Sequence, residues 1–159
     1  MARPVDQPRA APPTDRRIPL AALLLGVASL IPFVAAAAAA TLASSPTQRL
    51  YGYVALISYS ACVISFLGAI HAGAALREAP LPGARLAAAA IAPLLAWLAL
   101  ALGERNGLTM MAATLLLVLA YDITAARRGW VAPWYPRLRW PLTGVMLVSL
   151  LAARQFGPI

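Results

Sequence analysis

The chain has 159 residues, of which 62% are hydrophobic and 11% charged, and its formal net charge is +8. An average soluble domain is about 45–50% apolar and about 25% charged. A chain of this length cannot bury this much apolar surface in one water-soluble core. The composition therefore excludes most soluble proteins and favours a membrane protein. All 13 basic residues are arginines that fall between apolar segments, which argues against a nucleic-acid partner.

The apolar segments predict an all-α fold, a polytopic transmembrane helix bundle of about five spans. Residues 1–17 are rich in proline and charge, which predicts a disordered tail, and residues 18–159 form a single transmembrane domain. A helix of about 20 residues crosses a bilayer. The predicted spans are residues 19–43, 50–76, 86–103, 108–126 and 140–156.

Two details of the later spans follow from their composition. Residues 104–107, Glu-Arg-Asn-Gly, predict a tight turn between the third and fourth spans. The fifth span has only 14 uncharged residues, 140–153, so a re-entrant or interfacial helix is its alternative.

The second span carries small residues at helical spacing, which places them on one face. Such a face lets a neighbouring backbone approach closely, either inside one chain or at the seam of a homo-oligomer. Cys62, in the same span, is expected to be a small buried hydrophobe. The helix-packing face consists of Ser58, Ala61, Ser65, Gly68 and Ala72.

The arginine distribution predicts the orientation. With five spans, ten arginines lie on the side of the N-terminus and three on the opposite side. The positive-inside rule therefore predicts a cytoplasmic N-terminus and a periplasmic C-terminus. The three on the opposite side are Arg49, Arg105 and Arg154.

Only two titratable side chains, apart from tyrosines and the cysteine, lie well inside the apolar spans, His71 and Asp122. His71 precedes Arg77 by six residues and Asp122 precedes Arg127 by five, so counting along two parallel helices predicts a similar depth for both. A hydrogen bond between them is feasible, and a neighbouring arginine could complete it. The alternatives are a structural polar pair, Asp122 paired with Arg127 or Arg128, or a proton-relay or ligand site.

A basic and aromatic segment separates the fourth and fifth spans. Trp and Tyr prefer the headgroup layer of a bilayer, and arginines attract anionic lipids. The segment is therefore a candidate contact surface for anionic lipids of the cytoplasmic leaflet or for a partner protein. Its candidate residues are Arg127, Arg128, Trp130, Trp134, Tyr135, Arg137, Arg139 and Trp140.

Several short motifs resemble one family. They are Leu30-Ile31-Pro32-Phe33, Tyr51-Gly52, the stretch 64–71, Leu95-Ala96-Trp97, Asp122 and Pro133-Trp134-Tyr135. Over about residues 20–153 the chain resembles uncharacterised bacterial inner-membrane proteins related to mitochondrial transmembrane protein 69, with domain of unknown function 3429. The resemblance implies a small polytopic membrane protein and supplies no activity.

The sequence predicts a non-enzymatic protein of the bacterial inner membrane. It has no phosphate-binding glycine loop, no nucleophile elbow and no cluster of zinc ligands, so no catalytic residue, metal or cofactor is expected. The first hypothesis is an assembly factor or accessory subunit that acts through helix, lipid or partner-protein contacts. The alternative is a small carrier or proton-coupled transporter that uses His71 and Asp122 in a cytoplasm-facing site.

Overall fold

The computed structural model describes residues 17–157, and all of their regular structure is helical. This confirms the all-α prediction. The predicted disordered tail, residues 1–17, lies outside the described residues except for Arg17. The helices are α1 (Leu20–Leu42), α2 (Pro46–Ala75), α3 (Gly83–Ala101), α4 (Glu104–Arg127) and α5 (Tyr135–Phe156).

The five helices form a closed ring. Each helix contacts the next along the chain, α5 returns to contact α1, and α2 also contacts α4 across the middle. The short connections between successive helices favour antiparallel neighbours. The ring encloses a close-packed apolar core. Its most completely buried large side chains are Phe33, Leu56, Ile64, Met111, Leu115, Met146 and Leu150.

The outward surface of the ring is also apolar, which distinguishes the bundle from a soluble one. In residues 17–157, α1, α2, α3 and α4 are long and apolar enough to cross a membrane. Large hydrophobic side chains on them, such as Leu25, Phe66 and Leu94, are more than 60% exposed. α5 is not among the four candidate spans, since Arg137, Arg139 and Arg154 lower its mean hydropathy.

The helix boundaries differ from the predicted spans mainly at their starts. Residues 104–107 form the first turn of α4, so the predicted tight turn there is wrong. The chain reverses instead at Gly103, whose φ of 74° suits a residue without a Cβ. α5 begins at Tyr135, five residues before the predicted span, because Pro136 can occupy a first helical turn.

Glycines set the closest helix contacts. A Cβ on Gly52 would overlap the backbone of Ala39 and Ala40 in α1. A Cβ on Gly68 would lie 2.7 Å from the carbonyl oxygen of Ala89 in α3.

The helix-packing face of α2 is therefore used inside the chain at Gly68. Ser58 is exposed, and Ala61, Ser65 and Ala72 are partly buried. The alternative role of this face, at the seam of a homo-oligomer, stays a prediction.

Candidate functional site

Three helices bring polar side chains to one level of the bundle. His71 lies four residues before the end of α2, Asp122 lies five residues before the end of α4, and Arg139 lies four residues after the start of α5. All three therefore lie near the same end of the ring. We call these three residues the polar cluster.

The polar cluster is tightly bonded and buried. Nε2 of His71 lies 2.6 Å from Oδ1 of Asp122, and Nε of Arg139 donates to Oδ2 of the same carboxylate at 3.2 Å. An ionised carboxylate only accepts, so His71 donates from Nε2. The exposed fractions are 5% for His71, 0% for Asp122 and 4% for Arg139. With a neutral His71 imidazole, the positive charge of Arg139 and the negative charge of Asp122 cancel.

The placement of Arg139 departs from the sequence expectation. The sequence predicts Arg139 among the lipid-contact residues, but it is buried against Asp122 because α5 begins one turn before it. Arg127 and Arg128, the two arginines considered as partners of Asp122, are exposed at the end of α4. They follow Asp122 closely in sequence, but by more than one helical turn, so neither lies next to it on the helix.

One face of α5 leaves hydrogen-bonding capacity unused. Among residues 17–157, three buried side-chain atoms have no hydrogen-bond partner: Tyr135 Oη, Arg139 Nη2 and Thr143 Oγ1. Their spacing of four residues places them on one stripe of α5. A buried polar atom without a partner costs about 1–3 kcal/mol, so this stripe calls for an explanation.

Aromatic rings connect the polar cluster to the end of the bundle. The ring of His71 packs edge-on against Tyr121, with centroids 4.6 Å apart, and the Tyr121 ring lies 6.4 Å from that of Trp130. The guanidinium groups of Arg85 and Arg128 lie 4.1 and 4.9 Å from the Trp130 ring centroid, which are cation–π distances.

A helix cap positions Trp130. Gly129 adopts a φ of 71° after the last turn of α4. The amide of Trp130 donates to the carbonyl of Ala125, and the amide of Gly129 donates to that of Ala126. This pair of bonds is the Schellman motif, which ends a helix and turns the chain sharply. The cap therefore folds the Trp-rich segment back over the bundle.

Other residues of the predicted contact surface remain at this end of the bundle. Arg137 is exposed, Trp140 is 59% exposed, and Trp134 and Tyr135 are partly buried. We use the name arginine-rich end for the surface that these side chains form with Trp130 and four further arginines. Its members are Arg77, Arg85, Arg127, Arg128, Trp130, Trp134, Tyr135, Arg137 and Trp140.

Two cavities border the polar cluster, and a recess adjoins one of them. A small one of about 130 Å³, between α2, α3 and α4, is lined by His71 and Tyr121 and otherwise by apolar residues and Gly68. A groove of about 460 Å³ lies between α1, α2 and α5, and Tyr135 and Arg139 line it. A recess of about 520 Å³ adjoins Arg77 and Trp130.

The groove and the recess were not predicted, because a gap between helices depends on packing that sequence periodicity does not report. Cys62, expected to be buried, is exposed at the groove. In the part of the chain that the structure describes, no three His, Cys, Asp or Glu side chains come together in a way that could hold a metal ion.

The fold and its apolar outward surface define an integral membrane protein with a helical bundle. The chain belongs to the family described as "Protein of unknown function (DUF3429)", whose model matches residues 18–154. This confirms the resemblance seen in the sequence.

A curated relative agrees with this assignment. The chain is 35% identical over 144 residues to "Transmembrane protein 69" of Xenopus tropicalis. The match covers 85% of this chain but 54% of that protein, so the chain spans about half the length of the relative. No solved structure matches the chain significantly.

Proposed function

We propose that this protein is a non-enzymatic component of the bacterial inner membrane that acts through contacts with lipids and partner proteins, as an assembly factor or accessory subunit. Its orientation in this proposal is N-terminus cytoplasmic and C-terminus periplasmic, with α5 as a fifth crossing. The arginine-rich end then faces the cytoplasm, where anionic lipids and a positive-inside bias coincide.

The observation that carries the proposal is that side chains of the arginine-rich end are held in fixed positions. Trp130 lies against both Arg85 and Arg128, and a Schellman cap fixes its position. Arg85 also donates to Glu78, so its guanidinium is held from two sides. Aromatic and arginine side chains held in fixed positions lose little conformational entropy on binding, which favours a contact surface.

The fifth crossing is supported by the contacts of its arginines. Arg139 forms an ion pair with Asp122, and Arg154 lies in the last turn of α5, where its Nε donates to Thr109 at the opposite end of the bundle from Arg139. An arginine that is paired or near a helix end is cheaper in a membrane than one at mid-span. The low mean hydropathy of α5 is therefore compatible with a crossing inside the ring.

Capture of contacts in the membrane tests the proposal. A photo-crosslinking amino acid replaces exposed Arg137 at the arginine-rich end, and a matched probe replaces exposed Asn106 at the other end. We expect a reproducible protein or lipid adduct at position 137, lost in Trp130→Ala, and none at position 106. Recovery of the monomer alone from mild detergent, with no adduct and no bound lipid, would contradict the proposal.

One observation favours a second candidate function, a small carrier or proton-coupled transporter. Ionisable side chains inside a membrane often mark ion pathways, and the polar cluster lies between the cavity at His71 and the groove at Arg139. Proton flux into liposomes that contain the purified protein tests this function. A flux that is present in the native protein and absent in the double variant His71→Ala, Asp122→Ala supports this function. Equal flux in the native protein and the double variant contradicts it.

A further inference from the structure

We propose that the groove between α1, α2 and α5 is a binding site for one anionic phospholipid. An acyl chain lies in the groove, and the phosphate lies where the groove meets the recess beside Arg77. The inference rests on the proposed function, which it deepens by naming a lipid class and a place on the bundle.

The shape of the groove fits an acyl chain. Its volume of about 460 Å³ falls in the range of about 300–1,000 Å³ typical of small-molecule sites. The lining is mostly apolar, and exposed side chains such as Leu25 and Phe66 form its rim. Because these rim residues lie on helices that are candidate membrane spans, the groove opens sideways toward the acyl region of the bilayer.

The polar end of the groove fits an anion. Tyr135 and Arg139 line the groove, and each has a buried polar atom without a partner in residues 17–157. Arg139 is only 4% exposed, so its free Nη2 donor is not satisfied by bulk water. A phosphate oxygen that reached these donors would form charge-assisted hydrogen bonds, which are among the strongest in proteins.

The recess extends the site toward the headgroup. Ile70, Trp134 and Tyr135 line both the groove and the recess, so the two spaces meet at these side chains. Arg77 lines the recess and forms no ion pair within residues 17–157. A fatty acid would leave this second space empty, whereas a phospholipid carries a headgroup beyond its phosphate. The arrangement therefore favours an anionic phospholipid.

Photolabelling of the purified full-length protein tests the inference. The protein is placed in phosphatidylcholine nanodiscs with phosphatidylglycerol that carries a diazirine on its acyl chain, and labelled peptides are mapped. The comparison probe is phosphatidylcholine with the same diazirine. We expect phosphatidylglycerol to label the groove, at peptides containing Leu25, Cys62 or Phe66, about tenfold more than phosphatidylcholine does.

Two pairs of variants distinguish the site of the acyl chain from the site of the phosphate. Cys62→Trp places a large ring in the groove, and Ala90→Trp places the same ring at an exposed position of α3 away from it. We expect groove labelling to fall about tenfold in the first variant only, as the site is filled. Tyr135→Phe with Arg77→Gln should reduce phosphatidylglycerol labelling to the phosphatidylcholine level, whereas Tyr51→Phe at the opposite end should not.

Several outcomes would overturn the inference. They are equal labelling by both lipids, labelling spread evenly around the bundle, labelling that Cys62→Trp leaves unchanged, and a dimer that covers the groove in place of lipid. These outcomes are distinct from failure of the proposed function. An adduct at position 137 without groove labelling overturns only the lipid site, and groove labelling without that adduct leaves the lipid site standing.

Discussion

Asp122 bonds to His71 across 51 residues of sequence, with Oδ1 of the carboxylate 2.6 Å from Nε2 of the imidazole. The other carboxylate oxygen accepts from Arg139. One side chain of α4 thereby joins α2 and α5, and all three side chains are buried. The stability of the ring should depend on this carboxylate more than on any surface charge.

Asp122→Asn removes the negative charge and leaves Arg139 as a buried cation without a counter-ion. Breaking one side of a buried pair costs about 3–5 kcal/mol, so the unfolding midpoint in detergent should fall markedly. The double variant Asp122→Asn, Arg139→Gln should recover much of this loss, because no charge then remains buried. Equal midpoints for Asp122→Asn and the native protein would contradict the role given to the ion pair.

Gly52→Ala should separate α1 from α2. A methyl group there overlaps the backbone of Ala39 and Ala40, which cannot move without displacing a helix. Overpacking of this kind costs about 1–3 kcal/mol. Gly73→Ala is the matched control in the same helix, since a Cβ there meets nothing within 4 Å. Thermal unfolding should show a loss for Gly52→Ala and no loss, or a small gain from helix propensity, for Gly73→Ala.

Gly129→Ala should strain the cap that positions Trp130. A residue with a Cβ pays about 1–2 kcal/mol for the left-handed conformation that Gly129 adopts. We expect lower stability and weaker crosslinking at position 137, because the Trp130 segment is less ordered. Gly83→Ala serves as control, since a Cβ there meets nothing within 4 Å and Gly83 has no positive φ. A change of equal size in both variants would argue against the cap.

Cysteine labelling tests the orientation and the fifth crossing together. In a Cys62→Ala background, single cysteines replace Asn106, Pro133 and Gln155, all of which are exposed. A membrane-impermeant maleimide applied from the periplasmic side should label positions 106 and 155 but not 133. Labelling of 133 and 155 from one common side would show that α5 does not cross.

Sequence patterns accounted for the helices and for one contact of the polar cluster. Apolar length alone located α1 to α4, since the bilayer sets the length of a spanning helix. Counting residues to Arg77 and Arg127 placed His71 and Asp122 at one depth, and the structure brings them together. Depth counting works because helical rise is nearly constant.

The same reasoning failed for Arg139 and for the groove. Arg139 follows Arg137 in a basic segment, so composition placed it at the surface, while the early start of α5 turned it inward. The groove depends on how α1, α2 and α5 fit together, and no periodicity in any one helix reports such a gap. The unpartnered atoms of Tyr135 and Arg139 could be recognised only from their surroundings in the bundle.

The closed ring has a consequence for biogenesis. α5 closes the ring between α4 and α1, so a nascent chain that has reached residue 134 holds Asp122 and His71 without Arg139. α5, the least apolar helix, then packs against the Asp122 carboxylate, which already lies in the bundle, and brings Arg139 to it. Packing of α5 would in that case be guided by the four helices before it, because the ion pair with Asp122 forms only once Arg139 is in place.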